Sequence, residues 1–363
     1  MKPHLTARAL RTFQSRMLAW FRAHQRDLPW RRSDDPYRIW VAEVMLQQTR
    51  IATVMPYYHR FLMRFRTVQS LARASESEVL KLWSGLGYYS RARNLHRAAK
   101  IIVTQHDGAF PRELDAALEL PGIGTYTAAA VLSIAYDVPL AVLDGNVARV
   151  LARINAIRGE LRAPKNWRAL TAATQNFLAM QSPGDWNQSL MELGEVICTP
   201  QSPRCAECPA ARQCRAYAEG LADEIPAPRR KRAAVRIKIA AAILRDPQGR
   251  TLLVQDPGAH DKVLFSRMWQ FPAVEVTRHA EAELEAHIRK TLDVADISLE
   301  ALPAARHGVT FRNITLLPFL AHVSELPKLP RTRILAMKNL SKLPISSATR
   351  KIAAAAANSA TNP

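Results

Sequence analysis

The placement of cysteine most limits what this chain can fold into. All four cysteines of the 363 residues lie in one short segment, with the spacing C-x6-C-x2-C-x5-C: Cys198, Cys205, Cys208 and Cys214. Because such short separations let thiolates converge on one centre, the spacing predicts a metal site in a protein that is not secreted. Two disulfides are the alternative. Four thiolates suit Zn²⁺ or a [4Fe-4S] cluster, and ligand identity alone does not separate the two.

Net charge indicates the class of partner. The chain has 51 lysines and arginines and 31 aspartates and glutamates, a formal charge of +20, and 48% of its residues are hydrophobic. A folded protein with this charge has a polyanionic partner, and nucleic acid is favoured. The longest uncharged stretch, 120–136, is too short to span a membrane. Because the charged N-terminus lacks an apolar signal region, we expect a cytoplasmic protein that does not bind membranes.

Helical periodicity and composition divide the chain into two domains, as its length suggests. Apolar residues recur at helical spacing up to about Ile197, which predicts an all-α domain over 1–215 with the cysteine loop at 198–214. Prolines and a basic run at 229–232 then predict an exposed linker over 216–234.

The remainder of the chain predicts an α+β domain over 235–347. A hairpin that turns at 247–249, a helix near 280–292 and a strand over 314–323 support this fold class. The last residues, 348–363, are rich in alanine and show no apolar periodicity, so they predict a frayed helix and a disordered tail.

Two glycines predict a site for a nucleic-acid backbone. In LPGIGTYTAAAVL, at 120–132, Gly122 and Gly124 lie in a turn that an uncharged helix follows directly, and Pro121 fixes the approach. Glycines let a phosphate approach backbone amides, and the helix adds its positive N-terminal end. A plain connection between helices is the alternative. In a chain this basic, the pattern favours a helix-hairpin-helix, which holds DNA without reading its sequence.

Two carboxylates occupy positions suited to catalysis. Asp144 directly precedes an amphipathic helix, which predicts a helix N-cap whose amide partners keep the carboxylate ionised. Glu43 shares a helix face with apolar residues in PYRIWVAEVMLQQT, so its pKa should be raised and it can donate a proton near neutral pH. A plain cap and a solvent-facing glutamate are the alternatives. One acid and one carboxylate anion form the pair expected to cleave a glycosidic bond.

A loop with glycines and tyrosines predicts contacts to bases. The segment WSGLGYYSRARNL places Gly85, Gly87 and Tyr88 before Arg91 and Arg93. Tyrosines suit stacking on a base, and the arginines suit neutralising phosphates. A place in the core is the alternative for such aromatic residues.

Four segments share their order and spacing with one known family. They are WVAEVMLQQTR, GLGYYSRARNLHRAA, LPGIGTYTAAA with LDGNVARVLAR, and the cysteine loop. Over nearly the whole chain, they resemble the MutY-type adenine DNA glycosylases. The resemblance implies an all-α helix-hairpin-helix glycosylase domain with a [4Fe-4S] loop, followed by an α+β Nudix-like domain. It also implies a monomeric base excision repair enzyme of a bacterial-type cytoplasm, which removes adenine opposite 8-oxoguanine or guanine from double-stranded DNA.

The resemblance also assigns roles to residues. Glu43 would protonate the adenine ring and later handle the water, and Asp144 would stabilise the oxocarbenium ion. Extrusion of the base is expected, because the duplex hides the glycosidic bond. The family's adenine pocket maps onto five residues: Trp30, Arg31, Leu46, Tyr126 and Gln188. Its wedge beside the lesion pair maps onto four more: Gln48, Thr49, Leu86 and Tyr88.

Position 126 separates this family from its sister family, endonuclease III, which shares the helical fold, the hairpin, the aspartate and the cluster. The sister family has a lysine nucleophile here, which forms a Schiff base and cuts the strand. Tyr126 cannot form an imine, so we predict a glycosylase without lyase activity. A pyrimidine-lesion glycosylase and lyase is the alternative enzyme. A DNA-binding protein without activity is a third hypothesis, but it has no reason to bury Glu43.

The C-terminal domain resembles the Nudix-like module that this family uses to sense 8-oxoguanine, through WQFPA at 269–273 and RHGVTFRNITLLPF at 306–319. The predicted helix AEAELEAHIRKTL lacks the REx2EE residues that hold Mg²⁺ in Nudix hydrolases, so nucleotide hydrolysis is not expected. The lesion-sensing loop usually reads Phe-Ser-His and here reads Val309, Thr310, Phe311. Thr310 can still donate a hydrogen bond, but the histidine contact to the lesion is lost.

Overall fold

The computed structural model describes residues 5–228, 233–256, 267–309 and 311–359. The chain divides into two compact units: residues 1–72 and 97–230 form the first, and residues 73–96 and 231–363 form the second. Thr310 and the basic run at 229–232 lie outside the described residues.

The described chain up to residue 218 is helical, which confirms the predicted all-α fold of this part. Its α-helices are α1 (Ala7–His24), α2 (Pro36–Leu46), α3 (Ile51–Arg64), α4 (Val68–Arg73), α5 (Glu76–Trp83), α6 (Tyr89–Gln105), α7 (Leu114–Leu118), α8 (Thr125–Tyr136), α9 (Gly145–Ile154), α10 (Pro164–Phe177), α11 (Pro183–Val196) and α12 (Arg215–Ala218). Short 3-10 turns occur at Pro29–Arg31, Cys205–Glu207 and Ala211–Gln213. Among the described residues, no helix has the length and apolar character needed to cross a membrane.

Local sequence signals set where several helices begin. The Thr6 hydroxyl caps α1 by accepting a hydrogen bond from the Ala9 amide, and the Asp35 carboxylate caps α2 by accepting from the Tyr37 amide. Pro36, at the first position of α2, has no amide that needs a partner. N-cap side chains satisfy amides that the helix itself leaves without acceptors, so these residues fix the helix starts.

Helix α2 is buried on nearly every side. All residues from 39 to 45 are buried, and Trp40 packs against Phe110 with the ring centroids 5.7 Å apart. A helix that is apolar all round belongs in the interior of a protein. Glu43, the one acidic residue of α2, is therefore carried into the core.

The first unit has a core between α1, α9 and α11. Phe13 of α1 meets Trp186 of α11 edge to face, with the ring centroids 5.6 Å apart, and Leu151 of α9 is fully buried beside them. A Cβ atom at Gly194 of α11 would lie 2.7 Å from the Cβ atom of Asn146. Glycine is therefore needed for α11 to come this close to the first turn of α9.

The described part of the second unit contains a mixed sheet and two long helices besides residues 73–96. Its strands are β1 (Val235–Arg245), β2 (Arg250–Gln255), β3 (Trp269–Gln270), β4 (Ala273–Val276), β5 (Glu300–Ala301), β6 (Ala305–Val309), β7 (Arg312–His322) and β8 (Thr332–Ala336). The helices are α13 (Ala280–Leu292) and α14 (Ser347–Ser359), and a 3-10 segment precedes α14 at Met337–Lys342. The predicted hairpin, helix and strand of this region are confirmed by β1 with β2, α13 and β7.

The sheet is built around a parallel pair of long strands. β1 and β7 run side by side from Val235 opposite Arg312 to Arg245 opposite His322. The other pairs are antiparallel. β1 also pairs with β2 and β4, β7 also pairs with β5 and β6, and β2 also pairs with β3 and β8. The hydrogen-bonded order is β3-β2-β1-β7-β5, with β4, β6 and β8 off this path.

The two faces of this sheet bury different helices. Successive residues of a strand point to opposite faces, and Ile243 of β1 packs in the same cluster as Ile352 of α14. Leu244, the next residue, packs in the opposite cluster with Leu284 of α13. The sheet therefore lies between α13 and α14, which confirms the predicted α+β fold.

The end of the chain is more ordered than predicted. The prediction of a frayed and disordered tail is wrong for 348–359, because α14 occupies these residues. Ala348, Ile352, Ala355 and Ala356 are buried against the sheet, and their positions follow helical spacing. Alanine makes this apolar stripe hard to recognise in the sequence, since its side chain is so small.

Residues 73–96 precede α7 and α8 in the sequence but group with the second unit. The Glu76 carboxylate pairs with the Arg267 guanidinium, with an N–O distance of 3.0 Å. The buried Ser84 hydroxyl donates to the Ile345 carbonyl, and Arg350 of α14 donates to both oxygens of Ser84. These contacts tie the loop at 85–88 to the end of the chain.

Candidate functional site

A cleft of about 1180 Å³ in the first unit brings together most of the predicted site residues. Both predicted catalytic carboxylates, Glu43 and Asp144, line it. So do all five residues predicted for the base pocket: Trp30, Arg31, Leu46, Tyr126 and Gln188. Gln48 and Thr49, two of the predicted DNA contacts, lie along the same cleft.

Glu43 is a buried acid within this cleft. Only 6% of its surface is exposed, and the Tyr126 hydroxyl donates a hydrogen bond to its Oε2 atom at 2.9 Å. Burial raises the pKa of Glu43 to about 7. The hydrogen bond from Tyr126 lowers this pKa and the negative charge of Asp144 raises it, but burial is the largest effect. The predicted burial and raised pKa are confirmed, so Glu43 can hold a proton near neutral pH.

Asp144 is the N-cap of α9, as predicted, and its Oδ1 atom accepts a hydrogen bond of 2.7 Å from the Val147 amide. Burial raises the pKa of Asp144, while the amides of Val147 and Asn146 and the charge of Arg149 lower it. The amides act as expected, but burial outweighs them. The pKa of this carboxyl therefore lies above its ordinary value.

An ion-pair network in the wall of the cleft was missed from the sequence. The Glu192 side chain of α11 is fully buried and pairs with Arg26 at 2.7 Å and with Arg31 at 2.8 Å. Burial raises the pKa of Glu192, but the hydrogen bonds from the two arginines outweigh it and lower the pKa to about 2. Glu192 thus stays ionised and fixes both guanidinium groups. The signal that could have found it is its position four residues after Gln188, on the same face of α11.

The predicted backbone-binding turn joins α7 to α8. Gly122 has a φ of 79°, in the left-handed region that disfavours side chains, and Gly124 is the N-cap of α8. Within the described residues, neither amide of these two glycines donates to a protein acceptor. The amides are therefore available to an anion at the N-terminus of α8.

Two of the predicted wedge residues have an unusual backbone conformation. Gln48, in the first unit, has a φ of 57°, and Tyr88, in the second, has a φ of 49°. Residues other than glycine adopt this region uncommonly, and such residues cluster at functional sites. Tyr88 is exposed at 37%, whereas Leu86 is buried.

The two arginines after this loop do not face solvent. Arg91 and Arg93 are both buried. The Arg91 guanidinium lies 5.5 Å from the ring centroid of Trp83 and 5.2 Å from that of Tyr88, and burial lowers its pKa to about 10. The prediction that these arginines neutralise phosphates is therefore wrong, because their cations are enclosed by the protein.

All four cysteines line one small cavity, and none forms a disulfide. The buried Arg153 guanidinium donates to the Cys198 Sγ atom at 3.2 Å and to the carbonyls of Thr199, Pro200 and Ile225. Within the described residues, no three histidine, cysteine, aspartate or glutamate side chains have the arrangement of a site for a single metal ion. Arg153 thus holds the backbone of this segment through hydrogen bonds, and the four cysteine side chains line the same cavity.

Comparison with known proteins identifies the superfamily of the helical part. Residues 41–173 match the HhH-GPD superfamily base excision DNA repair protein model. The chain is 46% identical over 214 residues to an adenine DNA glycosylase of Mus musculus, covering 56% of this chain and 42% of that protein. It is 36% identical over 307 residues to an adenine DNA glycosylase of Arabidopsis thaliana, covering 73% and 48%. The chain spans less than half the length of each of these two relatives.

A solved structure shares the helical fold. A thermostable thymine-DNA glycosylase matches with a TM-score of 0.53 and 29% identity, over 58% of this chain and 97% of that one. The residues that match the superfamily model, 41–173, include the motifs at 85–99, 120–130 and 143–153 and all but the first residue of the motif at 40–50. The relatives and the superfamily match thus confirm the predicted resemblance to the MutY-type adenine DNA glycosylases.

Proposed function

We propose that the protein hydrolyses the N-glycosidic bond of adenine in duplex DNA, where the adenine lies opposite 8-oxoguanine or guanine. The observation that carries the proposal is one cleft that holds a buried acid, Glu43, and a second carboxylate, Asp144. Cleavage of a glycosidic bond uses both, because the leaving base takes up a proton while the sugar develops positive charge. Adenine as the base is supported by the relatives, which are adenine DNA glycosylases.

The base must leave the duplex before it can react, since no side chain reaches the glycosidic bond inside the stack. In the proposed complex, Trp30 and Leu46 supply apolar walls for the extruded adenine, and Gln188 and Arg31 supply polar edges. The amides of the turn that precedes α8 bind the backbone of the strand, and Gln48 and Thr49 contact the DNA beside the extruded base. Leu86 and Tyr88 are proposed as DNA contacts of the second unit.

Proton transfer by Glu43 starts the reaction. Protonated Glu43 donates its proton to the adenine ring as the bond between the sugar and the base breaks, and Tyr126 holds the acid in place through its hydrogen bond. The electron pair of the broken bond leaves with adenine, so the sugar becomes an oxocarbenium ion.

Asp144 stabilises that cation as an anion. Its carboxylate is already oriented by the Val147 amide, so little reorganisation is needed when the charge develops. Water then attacks the sugar carbon, and ionised Glu43 accepts the proton that the water loses. The products are free adenine and an abasic site in an unbroken strand.

Tyr126 supports hydrolysis without strand cleavage. A lyase of the endonuclease III kind needs an amine that forms an imine with the sugar, and a phenol cannot do so. The Tyr126 hydroxyl is also engaged by Glu43 Oε2 at 2.9 Å and by Met191 Sδ at 3.3 Å. We therefore infer that a cut at the abasic site requires added alkali.

Three duplexes test the proposal: adenine opposite 8-oxoguanine, adenine opposite guanine, and thymine glycol opposite adenine. We expect the adenine strand to break only after treatment with hot alkali and the thymine glycol strand to stay intact. The ratio of the two adenine rates measures what the altered loop at 309–311 does to lesion preference. Cleavage at thymine glycol without alkali would instead support the lyase.

We also propose that the four cysteines hold a [4Fe-4S] cluster. Their four side chains line one cavity, and four cysteine side chains are the ligand set that such a cluster takes. Cys198, Cys205, Cys208 and Cys214 would hold the cluster, which would cross-link this segment when bound. Purified protein should be yellow-brown and absorb broadly at about 400 nm. A colourless protein with one zinc ion per chain would contradict the proposal.

The second unit is proposed to sense the base opposite adenine as the Nudix-like module of the family does, with Thr310 as a donor. Two of the three acidic residues of α13 support a role without nucleotide hydrolysis, because they are engaged within the protein. Glu283 accepts hydrogen bonds from three amides at 277–279, and Glu285 pairs with Arg289. We infer that the protein acts as a monomer on chromosomal DNA in a bacterial-type cytoplasm.

A further inference from the structure

Two of the five arginines that line the cleft are not neutralised by the protein. Three are held by Glu192 or by backbone carbonyls: Arg26, Arg31 and Arg149. The other two, Arg50 and Arg162, are exposed and pair with no carboxylate in the part of the chain that the structure describes. These two side chains thus leave positive charge at the cleft for a ligand.

Arg162 differs from Arg50 because its guanidinium is already held in place. The Arg162 Cζ atom lies 3.9 Å from the ring centroid of Trp167 in α10. Trp167 is half-buried against the core of the first unit, so the indole is fixed. A guanidinium stacked on an aromatic ring keeps the N–H groups of its edge free to donate.

The segment before α10 is itself anchored. The Asn166 side-chain amide donates to the Arg158 carbonyl at 2.9 Å and to the Glu160 carbonyl at 3.0 Å, and the Trp167 amide donates to the Ala163 carbonyl at 2.9 Å. These bonds restrict the backbone on both sides of Arg162. A cation ordered in advance loses less conformational entropy when it binds an anion.

We propose that Arg162, stacked on Trp167, binds a backbone phosphate of the DNA strand whose adenine enters the cleft. The inference rests on the proposed function and extends it by one contact. Arg162 lines the same cleft as Asp144 and Gly145, and extrusion of a nucleotide swings the phosphates beside it toward the pocket. A planar guanidinium suits a phosphate because two N–H groups can donate to two oxygens at once.

The salt dependence of binding tests this contact directly. Affinity is measured for a duplex that carries a tetrahydrofuran abasic analogue opposite 8-oxoguanine, at several salt concentrations, with wild type and Arg162→Ala. We expect the variant to bind about tenfold more weakly at low salt. The slope of log affinity against log salt should become shallower by about 1, because one fewer phosphate is neutralised. With guanine opposite the analogue, the loss should be the same, since a phosphate contact reads no base.

Arg168→Ala is the matched control. Arg168 is an exposed arginine of α10 that does not line the cleft, and it leaves the same net charge when removed. It should keep the wild-type slope. Trp167→Phe retains a ring in the core but offers less surface to the guanidinium, so it should weaken binding less than Arg162→Ala does.

The possible results separate this inference from the proposed function. If wild type releases adenine and Arg162→Ala keeps the wild-type slope and affinity, the phosphate contact is wrong. A slope that is shallower to the same extent in Arg168→Ala would also overturn it, because general charge would then explain the effect. If wild type releases no adenine from any duplex, the proposed function fails instead.

Discussion

Glu43→Gln is expected to slow adenine release by about 10²- to 10⁴-fold while the affinity for DNA stays near that of wild type. Glutamine matches glutamate in shape and still accepts the hydrogen bond from Tyr126, but it has no acidic proton for the leaving base. The rate is measured in single turnover on a duplex with adenine opposite 8-oxoguanine. Excision by the variant at close to the wild-type rate would show that another group is the acid.

The pH dependence of the reaction should change with the same substitution. Glu43 acts in its protonated form and has a pKa of about 7. The wild-type kcat/KM should therefore fall about tenfold for each pH unit above about 7, and the residual activity of Glu43→Gln should lack this fall. Wild-type kcat/KM that stays constant up to about pH 9 would contradict the assignment.

The variant should also be more stable than wild type in alkali. Folding raises the pKa of Glu43 from 4.5 to about 7, so the folded state favours the protonated acid. Stability gained in this way is fully present below about pH 4.5 and is lost as the pH rises through about 7. Glutamine does not titrate, so the free energy of unfolding of the variant should exceed that of wild type by roughly 3 kcal/mol at alkaline pH and match it in acid. Urea unfolding at both pH values measures the difference.

Asp144→Asn is expected to lower the rate of adenine release by about 10²- to 10³-fold without lowering the melting temperature. Asparagine caps a helix about as well as aspartate does, so the Val147 amide keeps its acceptor and α9 keeps its start. Only the negative charge that faces the oxocarbenium ion is lost. Calorimetry and single-turnover rates on the same preparation separate the two roles of this residue.

Asp144→Ala is the control for capping. Alanine removes both the charge and the cap, so it should slow the reaction to a similar extent and also destabilise the protein by about 1 kcal/mol. If the alanine variant were slow while the asparagine variant kept the wild-type rate, Asp144 would act through the helix alone. That result would remove it from the reaction.

The parts of the site that could be predicted depend on local spacing. Burial of Glu43 follows from its apolar neighbours along one helix, and the cap by Asp144 follows from its place before an amphipathic one. Both signals lie within a few residues of the side chain concerned. The helical character of residues 5–218 and the strands after residue 234 could be predicted for the same reason, since periodicity is a local property.

The parts that could not be predicted depend on partners far apart in the sequence. Arg26 and Glu192 are 166 residues apart, and no local pattern in either segment predicts their contact. Arg91 was predicted to neutralise a phosphate, but its guanidinium is buried beside Trp83 and Tyr88. The raised pKa of Asp144 was not predicted for a related reason. Its amide partners are close in the sequence, whereas the burial that outweighs them comes from the packing of whole helices.

The grouping of residues 73–96 with the second unit has a consequence for dissection of the protein. The chain passes between the two units three times, so a single cut near 228 does not release either of them whole. A fragment that ends there retains Ser84 but lacks Arg350 and Ile345. The Ser84 hydroxyl, which is buried in the whole chain, would then be exposed to water. In hydrogen exchange, the amides around 84–88 should lose protection in that fragment. The loop that carries Tyr88 thus depends on contacts with the far end of the chain, and a fragment that ends near 228 lacks them.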